Sequence, residues 1–246
     1  MLPESDVPKL YHAHHNRHLE DLPFWLSLAS RYGSPILELG CGTGRIFTPL
    51  CKAGYLTIGL DSDAAMLAFI REHWDDRQHP ALILGNMTSF HFPSTLALII
   101  LPCNTYSTLT TQERRQTLAC VRNSLRSGGT FAVSMPNPQA LKSLLKESAA
   151  EVEEIFPHPL DGEPVQVSSA WRRFRKYFWL EWHYDHLLPD GRVERTTLET
   201  HHTLESATDL IKEFHMVGFE KIKTYGDFDE LAYAETSPYL IIVAEF

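Results

Sequence analysis

The stretch ILELGCGTGRIF, residues 36–47, decides the reading of this chain. An apolar run that ends in a carboxylate leads straight into Gly40, Gly42 and Gly44. A buried strand is therefore followed by backbone with almost no side-chain cover, which is what a chain needs where a ligand must lie against the main chain. The pattern around it repeats a rhythm. YLTIGL (55–60) reads as a second strand closing at Asp61. ALILG (81–85), TLALII (95–100) and TFAVSM (130–135) follow, separated by helical stretches at 45–52, 64–74 and 112–125, with a further helix expected at 19–31. Strands that are apolar throughout and alternate with helices specify a mostly parallel sheet covered on both faces, a doubly wound α/β fold of Rossmann type. In such a fold the ligand is expected at the carboxyl ends of the strands.

From about Val165 the rhythm changes. VQVSSAWRRFRKYFWLEWHYDHLL is aromatic and alternating, and Pro189-Asp190-Gly191 supplies a turn before RVERTTLETHH, so antiparallel strands are expected. Helical periodicity returns at 204–217, and 219–226 and 239–246 read as closing strands of the main, seven-stranded sheet. The expected division is a cap and cofactor-binding core at 1–164, an antiparallel β insertion at 165–203 and the end of the core at 204–246. Along 174–184 the even positions are mainly apolar and read as core. Arg173, Arg175 and His183 fall on a mixed face expected to meet a substrate.

Three ligands compete for the glycine loop. A phosphate-binding Walker loop ends in Gly-Lys-Ser/Thr, whereas Gly44 is followed by Arg45 and Ile46. The dinucleotide fingerprint counted from Gly40 requires glycine at position 45. What stands is Glu38, then Gly40, Gly42 and Gly44, and this resembles the first motif of the class I S-adenosylmethionine-dependent methyltransferases of small-molecule type. The resemblance continues at GLDSDAAML (59–67) and at GNMTSF (85–90), where Asn86 takes the place of a frequent aspartate. It spans residues 11–147, and more loosely 204–246. It implies S-adenosylmethionine as cofactor, held by Glu38, Gly40, Cys41, Gly42, Thr43, Gly44, Asp61, Ser62, Met66, Asn86, Met87, Leu101 and Pro102, with Tyr11 folding over it from the N-terminal segment. Asp61 would take the ribose hydroxyls, and the amide oxygen of Asn86 the adenine amino group.

Asn104-Thr105-Tyr106-Ser107-Thr108-Leu109 stands where the family often has a segment like N-S-F-x-H-L, so Thr108 replaces its histidine. No catalytic base carries over, and Asn104 and Tyr106 are expected on the substrate side. The function this implies is methyl transfer to O or N of a small molecule. A noncatalytic cofactor- or partner-binding protein of the same fold remains open because of that missing histidine; a nicotinamide-dependent oxidoreductase is the reading that the glycine spacing argues against.

Bulk properties narrow the partners. The 246 residues carry 31 acidic against 22 basic side chains, a net charge of −9, which disfavours a polynucleotide substrate. MLPESDVPKL has no signal-peptide core, and no window approaches the run of about 18 apolar residues that a membrane helix needs. The four cysteines form no CxxC pair, so free thiols in a cytoplasmic protein, monomer or homodimer, are expected. His14 and His18 stand four apart, as metal ligands on a helix do, but no third ligand is spaced to join them, and no metal is expected.

Overall fold

The structure, a computed structural model, describes residues 7–75 and 79–246. In chain order it contains α1 (Val7–His15), α2 (Leu22–Tyr32), β1 (Ile36–Leu39), α3 (Phe47–Lys52), β2 (Thr57–Asp61), α4 (Ala64–Glu72) and β3 (Ala81–Leu84). Then come β4 (Leu96–Leu101), α5 (Thr105–Thr108), α6 (Thr111–Ser124), β5 (Leu125–Pro136) and α7 (Pro138–Ser143). The remainder is β6 (Glu151–Pro157), β7 (Pro164–Arg173), β8 (Tyr177–Leu187), β9 (Val193–Thr203), α8 (Ala207–Met216), β10 (Lys221–Tyr225) and β11 (Tyr239–Glu245).

Seven strands form one sheet in the order β10-β11-β5-β4-β1-β2-β3. The pairs among β1 to β5 are parallel, and β11 alone runs against its two neighbours. β1 and β4 are buried along their whole length because helices cover both faces. Alternation sends Leu37, Leu39, Ile99 and Leu101 to one side, against α6 and α8. Ile36, Leu98 and Ile100 go to the other, where Trp25 and Leu28 of α2 meet them. Each such fully buried large side chain contributes roughly 1.5–3 kcal/mol. Helix starts obey local chemistry: Asp63 accepts from the Ala65 N–H at α4, and Thr110 with Glu113 forms a capping box at α6.

The second sheet is antiparallel, in the order β6-β7-β8-β9. It begins at Glu151, earlier than the aromatic pattern suggests, because β6 is mostly exposed and charged and carries no alternation signal. Leu10 of α1 packs on Phe156, Val165, Val167 and Tyr184 of this sheet, and His202 of β9 reaches Ser107 of α5. The sheet therefore touches the element carrying Tyr11 and the element following β4.

One parity expectation fails here. The chain reverses between β7 and β8, with the Phe174 N–H donating to the Tyr177 carbonyl (2.9 Å). Alternation does not run through that hairpin. Arg173 pairs with Phe178 and so shares the inner face, while Arg175 is in the turn and His183 stays on the outer face.

Candidate functional site

The glycine loop leaves β1 with positive φ at all three glycines: 63° at Gly40, 52° at Gly42 and 85° at Gly44. They serve different ends. A Cβ on Gly44 would stand 2.8 Å from Thr48 Oγ1 and 3.2 Å from Ile70, so Gly44 allows the loop to pack on α3 and α4. A Cβ on Gly42 would meet nothing within 4 Å and would project into open space. Asp61, at the end of β2, holds this conformation: Oδ2 accepts from the Gly42 N–H (2.7 Å) and Oδ1 from the Asp63 N–H (2.9 Å). A carboxylate has about four lone-pair sites, so two remain.

These residues border a cavity of about 400 Å³ at the carboxyl ends of β1, β2 and β3. Tyr11, Gly40, Gly42, Asp61, Ser62 and Met66 line it, with Asn86 and Met87 across from them. Asn86 differs from expectation in detail. Its Oδ1 already accepts from the Thr88 N–H (2.8 Å) and hydroxyl (2.9 Å), so its oxygen serves its own turn.

Other residues of the predicted set are not at the cavity wall. The Cys41 side chain packs with Phe47, Leu67 and Ile70, and its N–H donates to the Leu60 carbonyl. Thr43 and Gly44 border a separate cavity of about 630 Å³ behind the loop, where Thr43 Oγ1 lies 3.1 Å from His12 Nδ1. Leu101 belongs to the core and Pro102 is buried. Glu38 is buried under the loop with Oε2 lacking a hydrogen-bond partner. Burial pushes its carboxyl well above the usual range, against the pull of Arg45.

A second cavity, about 380 Å³, adjoins the first through Tyr11. It gathers His15, Glu20, Arg45 and Asn104 with Asp227 and Tyr239, side chains far apart in sequence. Arg45 donates to both oxygens of Asp21 (2.5 and 2.6 Å), while Trp25 Nε1 donates to Asp21 Oδ2 as well (2.9 Å). That bidentate pair anchors the loop to the segment after α1. Burial lowers His15 to about 3, with His14 adding to the effect, so its ring is neutral at pH 7. Cys103 and Asn104 follow β4 with φ of 59° and 66°, a conformation that non-glycine residues hold at a cost of roughly 1–3 kcal/mol each. The fold spends that strain where β4 delivers its end to this cavity.

Of the predicted substrate residues, Asn104 lines this second cavity. Tyr106 does not: it is fully buried, and its hydroxyl donates to Glu213 (3.0 Å), which Arg114 also grips (2.8 Å). A polar aromatic at a motif position reads as a contact, yet here it is the core end of a buried network. Arg173, Arg175 and His183 border neither cavity; His183 Nδ1 lies 3.1 Å from Thr197 Oγ1 on the outer face. Thr108 donates to the Thr105 carbonyl (2.8 Å). The sequence reading missed His15, Glu20, Asp227 and Tyr239. Nothing in their local sequence marks them. Arg45, by contrast, stood in view as the residue that broke both competing glycine motifs.

The residues present fit S-adenosylmethionine: an unpartnered buried carboxylate oxygen below the loop, a position where a Cβ would fill the cleft, and an acid at the strand end for a diol. Comparison with known proteins agrees. Residues 36–129 match the family model described as a methyltransferase domain. The glycine/sarcosine N-methyltransferase of Aphanothece halophytica is 23% identical over 240 residues, covering 94% of this chain and 83% of that protein. Among solved structures, an S-adenosylmethionine-dependent methyltransferase of Clostridium acetobutylicum ATCC 824 superposes with a TM-score of 0.79 at 14% identity, covering 97% of this chain and 96% of the other. The sugar N-methyltransferase KedS8 of Streptoalloteichus sp ATCC 53650 does so with a TM-score of 0.73 at 18% identity, over 100% and 94%. Among the described residues no helix is long and apolar enough to cross a membrane. With this match laid over the glycine loop, residues 36–129 form a methyltransferase domain, and the chain as a whole has the fold of S-adenosylmethionine-dependent methyltransferases.

Proposed function

We propose that the protein methylates the amine of a small molecule, with the cofactor in the 400 Å³ cleft and the acceptor in the adjoining 380 Å³ cavity. The cofactor supplies an electrophilic methyl on a sulfonium. Gly40 and Gly42 offer it backbone, Asp61 its remaining lone pairs, and Met66 and Met87 an apolar wall. Tyr11, common to both cavities, stands at the junction where donor and acceptor must meet. The protein's task is alignment, bringing a nucleophile to about 3 Å from the methyl.

The observation that carries the choice of nitrogen is the carboxylate lining of the second cavity. Asp227 and Glu20 border it, and neither is in an ion pair among the described residues. Methyl transfer to a neutral amine would build positive charge on its nitrogen. Carboxylates close to that nitrogen favour the change. A hydroxyl acceptor would instead need a base to take its proton. Thr108, where the family often has histidine, is committed to the Thr105 carbonyl.

The glycine/sarcosine and sugar N-methyltransferases named above act on nitrogen, which supports the same reading. We further assign the antiparallel sheet an indirect part: it supports α1, and through α1 the Tyr11 wall. The test is turnover with labelled S-adenosylmethionine on a panel of small amines, each paired with its hydroxyl analogue. Methylation of the amines and not of the analogues is expected. Equal or faster transfer to the hydroxyl partners overturns the assignment.

A further inference from the structure

Behind the Tyr11 face, α1 and the turn after it present His14 and His18 to the second sheet. Their spacing in sequence offers two ligands and lacks a third. The fold supplies one: Glu154 of β6. Nε2 of His14 and Nε2 of His18 stand 3.2 and 3.5 Å from Glu154 Oε1. The three ligand atoms all lie within 4.8 Å of one another. Glu154 Oε1 is nonetheless buried without a hydrogen-bond partner. Two imidazole nitrogens at that range which make no hydrogen bond to the oxygen share a space with it rather than pointing at it. Ligand atoms bound at about 2.0–2.2 Å to one tetrahedral ion are themselves about 3.3 Å apart, close to the spacing seen here.

The surroundings are those of a ligand set. His14 is buried, and its other ring nitrogen, Nδ1, lies 2.8 Å from Tyr184 Oη, which fixes the ring from behind as outer partners of metal-bound histidines do. Arg17 Nε donates to Glu154 Oε2 (3.1 Å), so it occupies the oxygen that faces away from the two histidines. His18 is exposed and leaves an entry path. A second trio, His158, Asp161 and His186, also brings ligand atoms within 4.8 Å. There, however, the carboxylate already pairs with His186 Nε2 at 3.2 Å.

We propose that His14 Nε2, His18 Nε2 and Glu154 Oε1 bind a first-row divalent cation of zinc type, with solvent completing the shell. Such an ion joins α1 to β6 and so fastens the helix that carries Tyr11 and His15 over both cavities. The site lies outside the methyl-transfer chemistry.

The test uses the full chain after chelator treatment, in an Asp161→Ala background that removes the second trio. Calorimetry with zinc chloride is expected to give one equivalent bound. His18→Ala, at an exposed position, and Glu154→Gln should each weaken zinc at least about tenfold, and Tyr184→Phe by about 10–100-fold. Zinc should raise the melting temperature of the parent and leave that of His18→Ala unmoved. Zinc bound equally by parent and His18→Ala, or not bound by the parent at all, overturns the proposal.

Discussion

The two cavities on either side of Tyr11 are built in opposite ways. The cleft we assign to the cofactor draws most of its wall from short stretches, 40–42, 61–66 and 85–88, each at the end of a parallel strand, and Tyr11, Thr105, Leu109 and Glu113 complete it. The cavity proposed for the acceptor takes single residues from 11 to 21, then Arg45, Cys103 and Asn104, Ser134, Asp227 and Tyr239. In the first, local backbone geometry makes the site: positive φ at glycine, a strand end, an acid that ties the loop. In the second, no segment contributes enough to have a signature. Such a cavity exists only once helices, loops and two sheets have been assembled.

The strongest way to break this contrast is Gly42→Val. Its Cβ would enter open cleft at a φ of 52°. S-adenosylhomocysteine affinity, followed by calorimetry, should fall at least about a hundredfold, equivalent to about 2.7 kcal/mol. Left-handed backbone costs a side chain roughly 1–2 kcal/mol, so Gly42→Ala serves as the milder control. Unchanged affinity in both variants would remove the loop from the site.

Acidification should weaken the contact between the second sheet and the segment after β4. His202 ties β9 to Ser107, whose hydroxyl donates to the Asn104 carbonyl. Burial lowers His202 from 6.5 to about 4, with His201 adding to the effect, so the folded state holds it neutral. Below pH 6.5 the unfolded chain takes up a proton that the folded chain refuses. Stability is therefore lost as pH falls from 6.5 towards 4, by up to about 3 kcal/mol, and the loss levels off below that. Denaturant melts across this range should show a shallower slope in His202→Gln. Identical slopes would mean that the histidine is not held neutral.

Asp61→Ala tests the cleft more gently. Charge-assisted hydrogen bonds contribute roughly 1.5–3 kcal/mol, so cofactor affinity should drop by about tenfold or more. Part of that loss comes through the Gly42 N–H that Asp61 also holds. An affinity within twofold of the parent would leave Asp61 as no more than a loop tie. Asp227→Asn sharpens the comparison from the other side. Turnover should fall about tenfold with S-adenosylhomocysteine affinity unmoved, since Asp227 borders only the acceptor cavity. The smallest effect is expected for Arg173→Ala and His183→Ala, which border neither cavity; turnover should stay within about twofold. A large drop there would return the mixed face of the second sheet to the substrate.

The legible part of the molecule is the part whose physics is local. Glu38, the three glycines and Asp61 sit in their motif because a strand, a left-handed turn and a strand-end acid are specified within a few residues. Apolar strands alternating with helices fixed the doubly wound core, since a strand buried on both faces has to be apolar throughout. Tyr106 was misread because a motif position says nothing about which way its hydroxyl goes. Arg173 was misread because one hairpin between β7 and β8 resets alternation, and β6 went unseen because an exposed edge strand needs no apolar face. By itself, then, the sequence determined the fold class and the cofactor, and it singled out the glycine loop and strand-end acid that we propose hold that cofactor. Only the tertiary structure decided which side chains meet at Tyr11, where Asp227 and Glu20 come together, and that Glu154 closes on His14 and His18. Those are contacts between elements distant along the chain, set by packing, and no local pattern encodes them.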